Sequence, residues 1–435
     1  MKKILALMLA LCMVFGLAAC GGQTAQPAAN DVPKADDAPK ADDTTAVEVP
    51  AVEESAFYGP IYDDWSKMTD EELYALALEE VKDGSSISIY ATSSKMKKVQ
   101  ETFEEAFPGL TVDIMDLDND EVLEKCRLEA AAGNVMGDVL QVKDVNGDVF
   151  FGDYEDGIIS AFYPEDICAH IDDAALRYGY PLYASQSFWY YNTAAFPDGQ
   201  PIDSWWQIIE KNEDGSQRFR LFTKEIGSET AYLSLFASFI VNADQMAANY
   251  KEVYGKDLEY TYDASAFDFD VPENNAGVEY LWRFSQMKIT FIGDGDELVK
   301  AVDNSTADDP ALALASAGKI SNRDESGLSI AWLVLNPYNG LQNFEYLYVV
   351  NNCKHPAGAR LFIRFVTGGA DGKSEGFKPF SKEGNWPVRD DVKNKNDMSL
   401  AELNAIAPDL ASIYNVFLDA QDMWIYWLDQ NPNVG

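Results

Sequence analysis

The sequence predicts an α/β protein built on a parallel sheet. Between residues 70 and 142, short β-branched runs alternate with stretches of helical periodicity, the joins between them are short, and the helical stretches carry their own start and stop signals. "MTDEELYALALEEVKDG" sets Thr69 three residues before Glu72, a capping-box spacing, and ends at Gly84, which predicts a helix over 70–82. "SISIYA" (86–91) is the first strand. "TSSKMKKVQETFEEAF" follows with Val99, Phe103 and Phe107 on one helical face and is broken by Pro108-Gly109. "LTVDIM" is a second strand, "NDEVLEKCRLEAAAG" a second helix stopped by Gly133, and "GDVLQV" a third strand. Strand, helix and strand in this order form right-handed βαβ units.

Beyond this region the texture changes. "YPLYASQSFWYYNTAAFPDGQPIDSWWQIIEK" mixes Tyr, Phe and Trp with Asn, Asp and Pro, and "IGSETAYLSLFASFIVN" places Ser228 and Thr230 ahead of an apolar helix. "GVEYLWRFSQM" and "GDELVKAV" read as amphipathic helices. "FEYLYVVN" reads as a strand, "PAGARLFIRFVTG" as a helix, and 399–429 as one or two helices whose end, "MWIYWL", suits a core.

The N-terminus is of another kind. Met1-Lys2-Lys3 is a basic n-region, Ile4 to Leu17 an apolar h-region, and Ala18-Ala19 the small residues of a cleavage site, so 1–19 is expected to be an export signal. Residues 20–56 repeat "PKADD" and hold almost no bulky apolar side chain, which predicts a disordered tether, able to reach roughly 100 Å if extended. With 72 acidic against 33 basic residues, nucleic acid and anionic lipid headgroups are poor partners. The remaining cysteines, Cys126, Cys168 and Cys353, allow at most one disulfide, so the core must hold the fold.

Ligands of open parallel sheets bind at the carboxyl ends of the strands, near helix N-termini. Thr92, Ser93 and Ser94 occupy one such place, where their hydroxyls either cap the helix or meet a ligand. "DLDNDEVLEKCR" imitates a calcium loop at its first acidic positions. It carries Glu121 where glycine is needed and Arg127 where a bidentate glutamate belongs, and so reads as a strand end and helix cap. There is no HExxH, GxSxG or Walker loop, and His170 and His355 are the only histidines, which argues against His-based catalysis and metal binding.

"LAAC" (17–20) resembles a bacterial lipobox, which implies lipid attachment at Cys20 and an extracytoplasmic place on the cell membrane. "IYATSSKMKKVQETFEEAFPGLTVDIM", "RLEAAAGNVMGDVLQV", "YYNTAAF…IDSWWQII", "KHPAGARLFIRFVTG" and "NWPVRDDV" together resemble the extracellular solute-binding proteins of bacterial ABC importers, of the iron(III), organophosphate and polyamine type, over about 85–395. The resemblance implies a periplasmic-binding-protein fold, class II-like, with two α/β lobes joined by crossover strands. Lobe one would hold 57–190, lobe two 191–339, and 340–435 would return to lobe one with C-terminal helices. The family's binding loops would fall on Thr92, Ser93 and Ser94; on Val142, Lys143 and Asp144; on Trp189 and Tyr190; on Ser228, Glu229 and Thr230; and on Trp386. The implied partners are a small-molecule solute and an ABC permease, with the receptor a monomer and no cofactor, metal or nucleic acid. Only Tyr190-Tyr191 pairs two tyrosines, away from where iron-binding members carry theirs, and 240–275 looks like an insertion. Two solutes compete: an anion (phosphate, phosphonate, sulfonate or carboxylate) at Ser/Thr-bearing helix starts, favoured here, or a cationic polyamine on aromatic and acidic groups, with ferric ion a third choice. A surface glycosidase with paired carboxylates, or a sensor or adhesin lipoprotein, is the reading from a different class.

Overall fold

The computed structural model describes residues 58–431; the expected signal, the lipid site at Cys20 and the tether lie outside them. The first sheet is built from the βαβ units. Strands Ile87–Ala91, Val112–Asp116 and Val139–Lys143 run parallel, with Ile89 beside both Ile114 and Val139. The long strand Asn343–Val350, buried along its whole length, pairs antiparallel with 139–143 on one side and with Tyr180–Ser185 on the other. Asn385–Pro387 completes the sheet beyond 180–185.

The local signals act as the sequence proposes. Thr69 caps helix Asp70–Glu80 by accepting the Glu72 N–H at 3.3 Å, while Glu72 Oε2 accepts the Thr69 N–H at 2.9 Å. Val99 and Phe103 of helix Lys97–Ala106 are fully buried, and Asn119–Ala132 stops at Gly133, whose φ of 63° is the left-handed conformation that glycine adopts freely. A buried guanidinium ties these layers: Arg364 of helix Pro356–Val366 donates to both carboxylate oxygens of Asp166 at 2.7 Å and to Asp70. A charge so deeply buried is tolerated because its donors are met.

The chain leaves the first sheet at Ser185 and enters the second at Ser187. Gln186 is the single residue between strands Tyr180–Ser185 and Ser187–Asn192. The second sheet runs in the order 330–332, 187–192, 311–316, 220–223, 289–291, and strand Arg220–Thr223 is parallel to both of its neighbours. Helices Thr230–Val241 and Ala276–Ser285 cover it, and the chain returns to the first sheet just before Asn343. Two α/β lobes with two crossings are thus present.

One expectation changes, and the segment read as an insertion has a defined place. The resemblance sends all of 340–435 to lobe one, but helix Leu410–Gln430 belongs to lobe two. Ile413, Phe417, Ala420, Met423, Trp424 and Trp427 form its apolar stripe and share one core with helices 230–241 and 276–285. The segment 240–275 is an integral layer of lobe two: it holds helix Ala243–Tyr254 and a loop anchored on the fully buried Glu279, which accepts from Thr261, Tyr262 and Arg283. The three cysteines are free, and burial pushes their thiols up to about 12. Among the described residues no helix is long and apolar enough to cross a membrane.

Lobe two depends on a close helix crossing. A Cβ on Gly277 would sit 2.1 Å from the Phe239 carbonyl carbon, so helix 276–285 meets 230–241 backbone to backbone. Gly277→Ala should therefore destabilise the protein by about 2–3 kcal/mol in urea unfolding, since helix ends cannot shift cheaply in a packed core; an unchanged midpoint would contradict this crossing.

Candidate functional site

A cavity of about 310 Å³ lies where the crossing strands pass between the lobes. Lobe one contributes Lys143, the last residue of its third strand. The crossings contribute Ser185, Ser187 and Asn343, and lobe two contributes Ala231, Tyr232, Lys224, Ser316 and Lys319. Lys143, Lys224 and Lys319 each stand at or just beyond the carboxyl end of a strand, the end at which α/β sheets bind ligands. Larger hollows, of about 390, 420, 570 and 700 Å³, are each built from a single lobe.

Each lysine of the cavity has a carboxylate of its own. Lys143 Nζ is 3.3 Å from Glu345, Lys224 is 2.5 Å from Glu229, and Lys319 is 2.8 Å from Asp296. Glu345 holds the Lys143 ammonium above its ordinary pKa, and Lys319 holds Asp296 below its own. Glu345 is buried and also accepts from Gln141 Nε2 and, at 3.2 Å, from the Tyr183 hydroxyl. At the start of helix 230–241 no side chain caps the end, and the Thr230 and Ala231 N–H groups have no acceptor among the described residues, so two open donors and the positive end of a helix dipole stand where Glu229, Ala231 and Tyr232 line the cavity. The other helix start there, 295–303, is closed by Asp294, which accepts from the Asp296 and Glu297 N–H groups. Asn343 is buried, and its Oδ1 has no partner among the described residues.

Of the residues proposed from sequence, Lys143 lines the cavity and Thr230 opens the exposed helix start beside Ala231. Thr92 stands one step behind: its N–H donates to Gln141 Oε1 at 3.0 Å and its Oγ1 accepts from Gln141 Nε2, the amide that reaches Glu345. Ser93 and Ser94 form a short turn before helix 97–106, with no side-chain cap, and do not line the cavity.

Five residues are turned to other work. Asp144 is buried beneath the loop after its strand, where its oxygens accept the Gly147 and Phe150 N–H groups, and burial pushes its carboxyl up to about 6. Trp189 lies in the lobe-two core against Phe284, and the Tyr190 hydroxyl donates to the Ser316 and Ala317 carbonyls. Trp386 donates to the Met398 carbonyl and packs edge-on against Phe188 and tilted against Trp332, an aromatic seam between the lobes. Ser228 is held in a loop already filled by a carboxylate. Glu225 accepts from the Gly227 and Ser228 N–H groups at 2.9 and 2.7 Å and from Trp424 Nε1 at 2.8 Å. Although burial opposes it, these bonds hold the Glu225 carboxyl below its ordinary pKa.

Sequence reasoning passed over Lys224, Lys319, Ser187 and Tyr232. The signal for the two lysines was present: a lysine closing or following a strand recurs in "VLQVK", "LFTK" and "ALASAGK". A surface group, His170 with Asp390 and Asp391, lies within 4.8 Å on lobe one, but both Asp391 oxygens accept from Arg389.

Glu225→Ala should leave three donors unmet and cost about 2 kcal/mol, with faster amide exchange at 226–230 and none of that change in strand 139–143. Equal exchange in both segments would show that the carboxylate does not organise this loop.

No curated protein sequence matches the chain. Solved structures do. Iron-bound HitA of Pseudomonas aeruginosa has a TM-score of 0.55 at 16% identity, covering 79% of this chain and 99% of that one. Apo ferric ion-binding protein A of Pasteurella haemolytica has a TM-score of 0.54 at 11% identity, covering 79% and 97%. MotA of Agrobacterium tumefaciens B6, in complex with glucopine, has 0.50 at 9%, covering 79% and 100%. At these identities the likeness establishes the two-lobed fold. The sequence pattern of the bacterial extracellular solute-binding proteins matches residues 98–406, well over half of the chain, and the chain belongs to that family.

Proposed function

We propose that this protein is a lipid-anchored receptor, attached through Cys20 on the outer face of the cell membrane, that captures a small polar anion in the interlobe cavity and delivers it to an ABC permease. The observation that carries this reading is a cavity built from both lobes and the crossings, with three lysines and an uncapped helix start around it. Enclosure by both lobes suits a solute that must be held and then released as they part.

The polyamine reading loses its support, because Trp189, Tyr190 and Trp386 are buried and do not line the cavity. Tyr232 is the single tyrosine lining it, a poor set for ferric ion. The glycosidase reading needs a free pair of carboxylates. Glu229 and Asp294 line the cavity, but one is bound to Lys224 and the other caps its helix.

A thermal-shift screen of the intact chain against phosphates, phosphonates, sulfonates, carboxylates, polyamines, sugars and ferric salts tests the function. A solute at 100 times its Kd adds about 2.7 kcal/mol to stability. An anion should give the shift, and Ser187→Ala and Lys319→Met should each weaken its binding about tenfold while the melting temperature of the free protein stays the same. Unaltered affinity in both variants would move the solute elsewhere.

A further inference from the structure

The charge balance around the cavity narrows the solute. Within the cavity every lysine is matched by a carboxylate. Two more ammonium groups stand beside it without one: among the described residues, neither Lys95 nor Lys382 has a carboxylate within 4.0 Å. Lys95 follows the Thr92-Ser93-Ser94 turn and lies 5.9 Å from the centre of the Tyr183 ring, on the wall that carries Glu345 and Lys143. Lys382 reaches across the seam from lobe one: a Cβ on Gly318 of lobe two would lie 3.2 Å from its Nζ, one residue from the cavity lysine Lys319. The seam is tightly closed there. Gly384 abuts Gly318 backbone to backbone, and Arg323 of lobe two donates to Glu383 of lobe one at 2.7 Å.

Both charges thus flank one aromatic pair on lobe one, Lys95 against the Tyr183 ring and Lys382 two residues after Phe380, whose ring stacks 5.6 Å from that of Tyr183, in a protein whose formal net charge is -39 and which has carboxylates to spare. Resting on the reading of the cavity as the solute site, we propose that the solute is a dianion, a dicarboxylate or a phosphoryl or phosphonate compound. One negative group would bridge Lys95 and Lys382, the other would sit at the uncapped start of helix 230–241. With one group on Lys95 and Lys382 of lobe one and the other at a helix start of lobe two, such a solute spans both lobes, so it favours their closed arrangement over an open one.

A pH dependence follows. Burial first, and then the Lys382 charge, press the Lys95 ammonium down to about 8. The groups facing it are Lys382 from the loop before Glu383, Lys143 and Glu345 from the central strands, and Tyr183 from the strand beside them. A bound anion favours the protonated form. Affinity is thus full below about pH 8 and falls as pH rises through it, with proton uptake on binding.

Calorimetry of the intact chain with succinate, glutarate and phosphonoacetate against butyrate and valerate tests this. The dianions should bind at least tenfold more tightly than the monoanions at pH 7. In Lys382→Met the preference should shrink to less than threefold, with the fold checked by its melting curve, and in the wild type it should shrink in the same way at pH 9.5. Equal binding of the two classes, or a preference that survives in Lys382→Met, overturns the proposal. If a sugar or a polyamine binds and no anion does, the dianion falls and the receptor stands; if every solute class fails, or one binds with an affinity that Ser187→Ala leaves unchanged, the reading of the cavity itself falls.

Discussion

The structure turns on a single-residue crossing. Gln186 separates a strand of one sheet from a strand of the other, and its carbonyl accepts the Ala317 N–H at 2.8 Å, so the end of strand 311–316 is fixed to the same point. Ser185 is in register with Asn343 in the first sheet and Ser187 with Ser316 in the second. A joint this short cannot wander. It brings the carboxyl ends of strands from both sheets to one place, and the cavity is the space left between them.

Charge is then managed locally. The protein is strongly acidic, yet the strand ends at the cavity carry lysines, each stabilised by a neighbour: Glu345 behind Lys143, Glu229 beside Lys224, Asp296 beside Lys319. The Thr92–Gln141–Glu345 chain holds the first of these pairs from within the sheet. In contrast, the loop before helix 230–241 satisfies its own N–H groups with Glu225, so the donors left open are one turn further on, at Thr230 and Ala231. The net charge of the chain says little about its site because a site's field is set by groups a few ångströms away.

Much of the fold was legible because it rests on local rules. The Thr69–Glu72 box, the Val99 and Phe103 spacing and the Gly133 stop are satisfied within a turn or two of chain. The site was harder to read, since its residues are chosen by distant contacts. Trp189 and Tyr190 sit in a strand flanked by 330–332 and 311–316, where both faces are covered, so an aromatic run that looks ready for a ligand is buried on either side. Asp144 follows a strand as a ligand residue would, but it turns inward onto Gly147 and Phe150. Helix 410–430 shows the same limit: its apolar stripe is plain in the sequence, and only packing decides which lobe it joins.

The central claim is that the two lobes close on the cavity at this crossing. The most direct test is an interlobe distance, read between spin labels at exposed Lys98 and Lys256, one on each lobe, with and without an anion that binds. The account predicts that the solute collapses the distribution onto one short distance, and that Ser187→Ala raises the concentration needed to do so. A distribution that stays the same while the solute is bound would contradict it.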